Sequence, residues 1–322
     1  MPPEHLPVMT DEVVDLVAPE PGAIIVDGTF GAGGHARLVA PHLGVDGLYV
    51  AVDRDPTAHE RFDRFAAEVA PIPTRFVRAP FPDAFAQLRE DGTSADAVIL
   101  DVGVSSMQLD QAERGFAYAH DAPLDMRMDQ SAGTSAADLV AHADLDELTR
   151  IFREYGEERH AHRIARAVVA ERERAPIERT GRLVDVVLAS LPAAVRHAPG
   201  GHPARRVFQA LRIAVNDELG MLDRGLDAAL ELLAPGGRLV VMSFHSLEDR
   251  IVKRRFEAWQ GVCTCPPGLP ICACGSVTVA DTITRGALRP TPEEVARNPR
   301  AASTRLRAAR RVMPPRPAGV RG

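Results

Sequence analysis

Residues Asp27–His35 read Asp-Gly-Thr-Phe-Gly-Ala-Gly-Gly-His, and this glycine-rich stretch decides the fold. It follows an apolar segment that predicts a β-strand and precedes a segment that predicts a helix. Glycines at such a turn let the backbone approach a ligand where a Cβ atom would clash. Gly31, Gly33 and Ala36 also satisfy the dinucleotide pattern G-x-G-x-x-G/A. The stretch therefore predicts a cofactor site at the edge of an α/β sheet.

Apolar segments bounded by turn residues recur along the chain and predict further strands. The predicted strands are Ala23–Asp27, Leu48–Asp53, Thr74–Val77, Ala97–Asp101 and Arg238–Phe244. Helical periodicity separates the early strands, at Arg37–Leu43, at Pro56–Val69 and after Pro82. This alternation indicates a parallel, doubly wound sheet, whose ligands bind beyond the carboxyl ends of the strands. Because three predicted strands end in Asp, we expect Asp27, Asp53 and Asp101 to meet at one crevice.

The alternation of strands and helices breaks after Ser106. Helical periodicity without strand character follows, at Leu145–Tyr155, Arg159–Arg174 and Arg182–Leu191, and a further helix is predicted over Val207–Leu233. The sequence thus predicts two domains. Residues 1–106 and 213–322 form a discontinuous α/β domain, and residues 107–212 form a helical insertion. The Pro- and Arg-rich tail after Leu288 is predicted to be an irregular arm.

Charge is distributed unevenly along the 322 residues, although the net charge is only −6. Acidic residues dominate residues 1–149 and 213–249, whereas basic residues dominate 150–212 and 250–322. This asymmetry favours a polyanionic partner, although solvated helix faces would give the same pattern. No apolar run is long enough to span a bilayer, and the N-terminus lacks the features of a signal peptide. We therefore expect a cytoplasmic protein without a membrane partner.

The acids at the predicted strand ends distinguish between two classes of cofactor. Asp53 follows the glycine-rich stretch where both classes place a ribose-binding acid. A dinucleotide carries an anionic pyrophosphate, whereas S-adenosylmethionine carries a sulfonium and an ammonium cation. Asp27, Asp53, Asp55 and Asp101 would repel the former and attract the latter. The charges therefore favour a methyltransferase, with a nicotinamide-dependent oxidoreductase, or a glycine turn without a ligand, as alternatives.

Longer strings of sequence carry a resemblance to one family. They are Asp27–His35 (DGTFGAGGH), Leu100–Gln108 (LDVGVSSMQ), Glu113–Phe116 (ERGF), Pro123–Asp129 (PLDMRMD), Tyr155–Arg159 (YGEER), Phe208–Asn216 (FQALRIAVN) and Ser243–Lys253 (SFHSLEDRIVK). In this order, from His5 to about Arg307, the chain closely resembles the bacterial small-subunit ribosomal RNA methyltransferase H, or MraW, family. The resemblance implies a Rossmann-like S-adenosylmethionine-dependent methyltransferase domain with an inserted helical domain, residues 107–212, that recognises the substrate. It also implies methylation of a cytosine N4 amine in 16S rRNA of the small ribosomal subunit.

Other functions remain as alternatives to this activity. A methyltransferase could act on another base or on protein, and a ribosome-assembly factor could bind RNA and use its cofactor only structurally.

The resemblance also implies the residues of the cofactor site. These are Gly33, Gly34, His35, Asp53, Phe81, Asp101 and Gln108. Asp53 would bind the ribose of S-adenosylmethionine, and Phe81 would lie at its adenine, although Phe81 could equally be a core residue. The segment that begins at Asp101 lacks the Asn- or Asp-Pro-Pro-aromatic motif by which many amine methyltransferases hold the target amine.

Two residues are candidates for the chemistry of methyl transfer. The lone pair of a cytosine N4 amine is delocalised into the ring, so a hydrogen-bond acceptor would help to localise it and a base must take a proton. Asp101 is the candidate acceptor, with a purely cofactor-binding role as the alternative. His245 is the candidate proton acceptor or base-orienting group, with a structural role as the alternative.

Arginines of the predicted insertion are candidates for holding RNA phosphates. Arg205, Arg206 and Arg212 are the first of these. The arginines of Arg159–Arg174 are ambiguous, because nearby acids could satisfy them by surface pairing. Those acids are Glu157, Glu158, Glu171 and Glu173.

All four cysteines lie in one Pro-rich loop, in Cys263-Thr-Cys265 and Cys272-Ala-Cys274. Four thiolates could bind zinc, but the spacing is not the usual one and the resemblance does not imply a metal. We therefore predict reduced thiols and no metal, with zinc as the alternative.

Overall fold

The structure is a computed structural model that describes residues 7–103, 111–196, 201–261 and 276–317. The chain divides into two compact units, Met1–Gly103 with Leu219–Gly322, and Val104–Glu218. The first unit contains the sheet and the second is helical. The α/β class with an inserted run of helices is therefore confirmed. The sequence placed the domain boundaries at residues 106 and 213.

One sheet of seven strands organises the described part of the first unit. Its strands are β1 Ile24–Asp27, β2 Leu48–Asp53, β3 Thr74–Arg78, β4 Ala95–Asp101, β5 Leu233–Ser243, β6 Val277–Thr282 and β7 Arg305–Pro317, in the order β3-β2-β1-β4-β5-β7-β6. Strands β1 to β5 are parallel, whereas β7 runs antiparallel to both β5 and β6. The order 3-2-1-4-5 is that of doubly wound nucleotide-binding sheets. Consequently β1, β2 and β4 end side by side at one edge.

Helices alternate with strands β1 to β4 and then follow one another up to β5. They are α1 Thr10–Val17, α2 Gly34–Val39, α3 Ala58–Val69, α4 Phe81–Glu90, α5 Ala136–His142, α6 Leu145–Glu154, α7 Ala161–Arg172, α8 Thr180–Ser190, α9 Ala193–Arg196, α10 Arg205–Asn216, α11 Glu218–Leu232, α12 Ser246–Trp259 and α13 Pro292–Arg297. Helices α5 to α10 belong to the second unit, and α11 begins at that unit's last residue. Throughout the described part of the chain, every helix is too short or too polar to span a bilayer.

Side chains of the sheet alternate between two buried faces. One face carries Val26, Val50 and Val98, against which Phe85 and Leu88 of α4 pack. The opposite face carries Ile25, Tyr49 and Ile99, together with Phe62 and Phe65 of α3. Because both faces are covered, the central strands are apolar throughout, which explains why the sequence predicts them as uninterrupted apolar runs.

The second unit has its own core and well-defined helix starts. Ser135 and Asp138 form a reciprocal capping box at α5, and the Asp144 side chain accepts the Glu147 N–H at the start of α6. The core side chains include Leu148, Phe152, Ile164, Leu183 and Phe208. Burying each side chain of this size stabilises the folded state by about 1.5–3 kcal/mol. The helical unit therefore has its own source of stability.

The predicted helix over Val207–Leu233 is wrong, because two helices occupy that segment. They meet at Asp217, whose φ of 48° lies in the left-handed region and interrupts the helix. At the end of α10 the Asn216 side chain accepts the Met128 N–H and donates to the Met126 carbonyl, at 2.8 and 2.7 Å. These long-range contacts hold the chain where periodicity alone shows no break.

The tail after Leu288 is also not an irregular arm, because it contributes α13 and β7. Leu306 and Ala308 are buried in the sheet. Between them, Arg307 pairs with Asp249 of α12 at 2.8 Å. A partner from elsewhere in the chain thus offsets the charge that makes the tail look unstructured in sequence.

Candidate functional site

Asp27 closes the turn that follows β1. Its carboxylate is buried, and it accepts the Thr29 N–H at Oδ1 and the Tyr49 hydroxyl at Oδ2, both at 3.0 Å. Burial raises the pKa of Asp27 to about 6, and the hydrogen bonds from Thr29 and Tyr49 oppose the rise. Asp27 therefore stabilises the backbone of this turn, and its carboxylate is buried beneath the crevice.

The glycine-rich loop is held in place from both sides. Gly33 has a φ of 74°, and a Cβ atom there would lie 2.8 Å from the ring of Phe30. The Gly31 N–H donates to Asp53 Oδ2 at 2.8 Å, while the Gly31 carbonyl accepts from Arg61 Nε at 2.8 Å. The loop is consequently ordered by the protein itself.

Asp53, at the end of β2, joins that loop to the turn after its own strand. Its Oδ1 accepts the Asp55 N–H at 2.8 Å, and its Oδ2 accepts from Gly31. Burial raises the pKa of Asp53 above its ordinary value. Each carboxylate oxygen keeps a further lone pair, so the group can still accept hydrogen bonds from a ligand.

Asp101, at the end of β4, has an incompletely satisfied carboxyl group. Its backbone N–H donates to Thr29 Oγ1 at 2.6 Å. The Oδ1 atom is buried, with no hydrogen-bond partner among the described residues, while the side chain as a whole is 32% exposed. Burial, followed by the charge of Glu248, raises the pKa of Asp101 to about 7. Near neutral pH this group can therefore exist either as an acid or as a base.

His35 lies behind Asp101. Its Nε2 is 2.9 Å from the Val8 carbonyl, and its Nδ1 is 3.8 Å from Asp101 Oδ2. Because burial lowers the pKa of His35, the ring is neutral, and the Val8 carbonyl requires the proton on Nε2. The Nδ1 lone pair therefore faces Asp101, although 3.8 Å is too long for a hydrogen bond. The adjacent Gly34 lies against Pro7, which a Cβ atom would approach to 3.1 Å.

Phe81 has the contacts of a core residue and is only partly buried. A Cβ atom on Gly225 of α11 would collide with its ring, and the centroid of Phe85 lies 5.9 Å away. Both interpretations from the sequence thus keep support, since the ring packs on the core and still has an exposed part. Gln108 and the four cysteines lie outside the described residues.

His245 is the N-cap of α12. Its Nδ1 accepts the Glu248 N–H at 3.4 Å, while Glu248 Oε2 accepts the N–H groups of Phe244 and His245 at 2.7 and 3.1 Å. This is a reciprocal capping box with His in the place of Ser or Thr. His245 Nε2 is also 3.0 Å from Glu248 Oε1, but it is not aligned for a hydrogen bond. The side chain of His245 thus has a clear structural role.

Of the first three candidate arginines, Arg212 is already engaged within the second unit. It forms a bidentate pair with Glu218, with both N···O distances at 2.8 Å, and is mostly buried. Arg206 is exposed and donates to the Glu157 carbonyl at 3.2 Å. Arg205 is exposed as well. Arg212 is therefore a poor candidate for holding a phosphate, whereas the other two stay candidates.

The arginines around the start of α7 have no ion pair with the described acids that the sequence offers as partners. Arg159, Arg163 and Arg166 are exposed, and no described carboxylate forms an ion pair with them. Glu158 is buried and accepts the His160 N–H, while Glu171 pairs with Arg174 and Arg182. We call Arg159, Arg163 and Arg166 the arginine surface.

Sequence reasoning missed two residues of the first unit. Glu248 stands three positions after the N-cap, so the capping-box pattern could have indicated it had His been accepted as a cap. Thr29 gives no signal of its own, because its contact with Asp101 joins residues 72 positions apart.

Comparison with known proteins shows one family over almost the whole chain. Residues 3–312 match the model of the MraW methylase family. A ribosomal RNA small subunit methyltransferase H of Thermobifida fusca is 52% identical, covering 97% of this chain and 95% of its own length. Proteins of the same name from Geobacter sulfurreducens and Symbiobacterium thermophilum are 50% and 48% identical, over 96% and 94% of this chain and 99% and 95% of their own lengths. The chain belongs to the MraW methylase family.

Proposed function

We propose that this protein transfers a methyl group from S-adenosylmethionine to the N4 amine of a cytosine in 16S rRNA of the small ribosomal subunit, in the cytoplasm. Membership of a methylase family supports the reaction class and argues against the nicotinamide-dependent alternative. The name shared by relatives that are about half identical supports the substrate. The observation that carries the chemistry is the buried Oδ1 of Asp101, which has no hydrogen-bond partner among the described residues.

The residues at the strand ends fit S-adenosylmethionine. Its sulfonium and ammonium groups are cations, and Asp27, Asp53 and Asp101 give this edge of the sheet a negative potential. Asp53 would accept from the ribose hydroxyls with the lone pairs that Gly31 and Asp55 leave open. Gly33, Gly34 and His35 would form the wall made by the loop, with Phe81 and Gln108 as further contacts. When bound, the cofactor supplies an electrophilic methyl group.

Asp101 is the residue we assign to the target amine. Its carboxylate would accept a hydrogen bond from the amine, so that the nitrogen lone pair is less delocalised into the ring, and would then take the departing proton at an oxygen atom. A pKa of about 7 suits this task, because the carboxylate is present near neutral pH and is still basic. His35, whose Nδ1 lone pair faces Asp101 Oδ2, favours the protonated product of that step.

His245 is better suited to hold α12 than to take the proton. Its Nδ1 accepts the Glu248 N–H, so in the neutral ring the proton lies on Nε2 and no lone pair is available there. The proposed mechanism therefore uses Asp101 as proton acceptor and His245 as the cap that fixes the segment after β5.

The arginine surface supports an RNA substrate for the helical unit. Arginines without a carboxylate partner can contact phosphates without first breaking an ion pair, and such contacts give affinity without reading sequence. The target base would have to leave its stack to reach a buried acceptor such as Asp101. We thus propose the second unit as the substrate-recognition domain, with Arg205 and Arg206 as additional contacts.

The decisive experiment incubates the protein with labelled S-adenosylmethionine and small subunits from cells that lack this enzyme. Digestion of the 16S rRNA should yield labelled N4-methylcytidine, and subunits from wild-type cells serve as the control that is already modified. Label in another nucleoside, or in protein, would refute the proposed target. No label at all would refute the activity and favour an assembly factor.

A further inference from the structure

Thr29 lies in the turn between β1 and the glycine-rich loop, and it touches both strand ends. Its N–H donates to Asp27 Oδ1 at 3.0 Å, and its Oγ1 accepts the N–H of Asp101 at 2.6 Å. The side chain is half-buried. The hydroxyl oxygen thus bridges β1 and β4 at the point where the acceptor carboxylate begins.

The hydroxyl proton of Thr29 has no acceptor among the described residues. A hydroxyl offers one donor besides its lone pairs, and Asp101 uses a lone pair. The nearest acid in sequence, Asp27, accepts the Thr29 N–H and the Tyr49 hydroxyl, and no described hydrogen bond joins the Thr29 hydroxyl to it. Burying a donor without an acceptor costs free energy, so a half-buried hydroxyl in a crevice is expected to donate to whatever occupies it.

S-adenosylmethionine presents one anionic group, the carboxylate of its methionine part. The acids at the strand ends attract the two cations of the cofactor but repel this carboxylate. A neutral donor at the same edge removes the conflict, and the Thr29 hydroxyl is such a donor. We propose that Thr29 donates its hydroxyl hydrogen bond to the cofactor carboxylate, while its oxygen holds the Asp101 backbone.

The consequence is that one side chain sets two positions at once. The Thr29 hydroxyl would bind both the carboxylate of the cofactor and the backbone of Asp101. The distance between the methionine part of the cofactor and the Asp101 side chain would therefore be set by one residue. This inference rests on the proposed function only for the identity of the cofactor.

The test compares the wild type and two variants, each with two ligands. Thr29→Val keeps the shape of the side chain and removes the hydroxyl, and Thr29→Ser keeps the hydroxyl. Each is titrated calorimetrically with S-adenosylmethionine and with decarboxylated S-adenosylmethionine. A hydrogen bond to a charged group corresponds to roughly a tenfold to hundredfold change in affinity. We expect Thr29→Val to lose that factor for S-adenosylmethionine in addition to any loss that it shows for the decarboxylated ligand, and Thr29→Ser to bind both ligands within about threefold of the wild type.

The second ligand separates the proposed contact from a purely structural role. Loss of the bond to the Asp101 backbone would weaken both ligands alike, so an equal loss for both would overturn the inference, as would no loss for either. Melting temperatures of the ligand-free variants show whether they are folded. If Thr29→Val is not, the wild type and Thr29→Ser carry the test, because each should bind S-adenosylmethionine at least about tenfold more tightly than its decarboxylated form, and equal affinities would overturn the inference. A wild-type protein that bound neither ligand would refute the proposed cofactor itself, whereas the outcomes above refute the role of Thr29 alone.

Discussion

The edge of the sheet and the arginine surface use charge in opposite ways. At the sheet edge, Asp27 and Asp101 are buried or partly buried, hydrogen-bonded to neighbouring turns, and have raised pKa values. In the arginine surface, Arg159, Arg163 and Arg166 are exposed and have no described carboxylate partner. Buried charges interact strongly and over short distances, whereas exposed charges are screened by salt within about 10 Å.

The difference separates chemistry from affinity. A carboxylate whose protonation depends on its surroundings can move a proton, but it cannot hold a large polyanion. Exposed arginines can hold phosphates, but they influence a distant reaction only by bringing the substrate in. Changes at the sheet edge should therefore alter the rate of transfer, and changes in the arginine surface should alter binding and its dependence on salt.

The largest expected effect comes from Asp101→Asn. The amide has nearly the shape of the carboxyl group but cannot take a proton, so we expect the single-turnover rate of methyl transfer to fall by about 100-fold or more. Binding of small subunits should stay within about twofold, because Asp101 makes no phosphate contact. A variant that transferred methyl groups at the wild-type rate would restrict Asp101 to cofactor binding.

The pH dependence of the same rate should reveal the pKa of Asp101. Below about pH 7 the carboxyl group is protonated and cannot accept, so the rate should rise about tenfold per pH unit at lower pH and level off above it. The raised pKa means that the folded state binds this proton more tightly than the unfolded chain does. The stability it contributes is therefore lost as the pH rises through about 7, and Asp101→Asn should raise the melting temperature more at pH 8 than at pH 5. A rate that is flat from pH 5 to 8 would contradict this assignment.

A smaller effect is expected when the arginine surface is neutralised. The triple variant Arg159→Gln, Arg163→Gln, Arg166→Gln should bind 16S rRNA roughly tenfold more weakly, and its slope of log affinity against log salt should fall by about 2 to 3. The matched control is Arg174→Gln, Arg179→Gln, Arg182→Gln, which removes as much charge from arginines paired with Glu171 or Asp121. Equal losses in the two variants would mean that net charge, and not this surface, binds the RNA.

The smallest effect is expected at His245. His245→Ala removes the cap of α12 and should lower the free energy of unfolding by about 1 kcal/mol, whereas His245→Asn keeps a capping side chain and most of that stability. Both proteins should retain transfer rates within about threefold of the wild type, because the cap does not exchange the proton. A loss near 100-fold in the stable Asn variant would instead make His245 the base.

The sequence predicts most of the sheet, because its central strands carry their own signal. Strands β1, β2 and β4 are covered on both faces and are apolar runs that end in Asp. The antiparallel strands that follow β5 in the sheet carry no such signal. In β7, Arg305 and Arg307 alternate with buried Leu306 and Ala308, and both arginines pair with Asp249 of α12. The break at Asp217 likewise depends on contacts with distant backbone groups.

The residues of the candidate site likewise include some that the sequence predicts and some that it does not. Strand-end acids are predictable, since parallel strands end at one edge, and the structure joins Asp53 to Gly31 and Asp101 to Thr29. The role of Thr29 and the link from His35 to Val8 follow from contacts that no local pattern encodes, whereas Glu248 belongs to a capping box in which His245 is the unusual cap. Likewise, no local pattern shows that Glu158 accepts a backbone N–H and that Glu171 pairs with Arg174 and Arg182, which leaves the arginine surface without an ion pair among the described residues.

We assign catalysis to the sheet edge and RNA binding to the arginine surface. The most direct test of this separation is single-turnover methyl transfer at saturating S-adenosylmethionine, followed over a range of small-subunit concentrations. Asp101→Asn should lower the maximal rate and leave the half-saturating concentration unchanged. The triple variant of the arginine surface should raise the half-saturating concentration and reach the wild-type maximal rate. The opposite pattern, or a fall in maximal rate in both proteins, would contradict the separation of chemistry at the sheet edge from affinity in the helical unit.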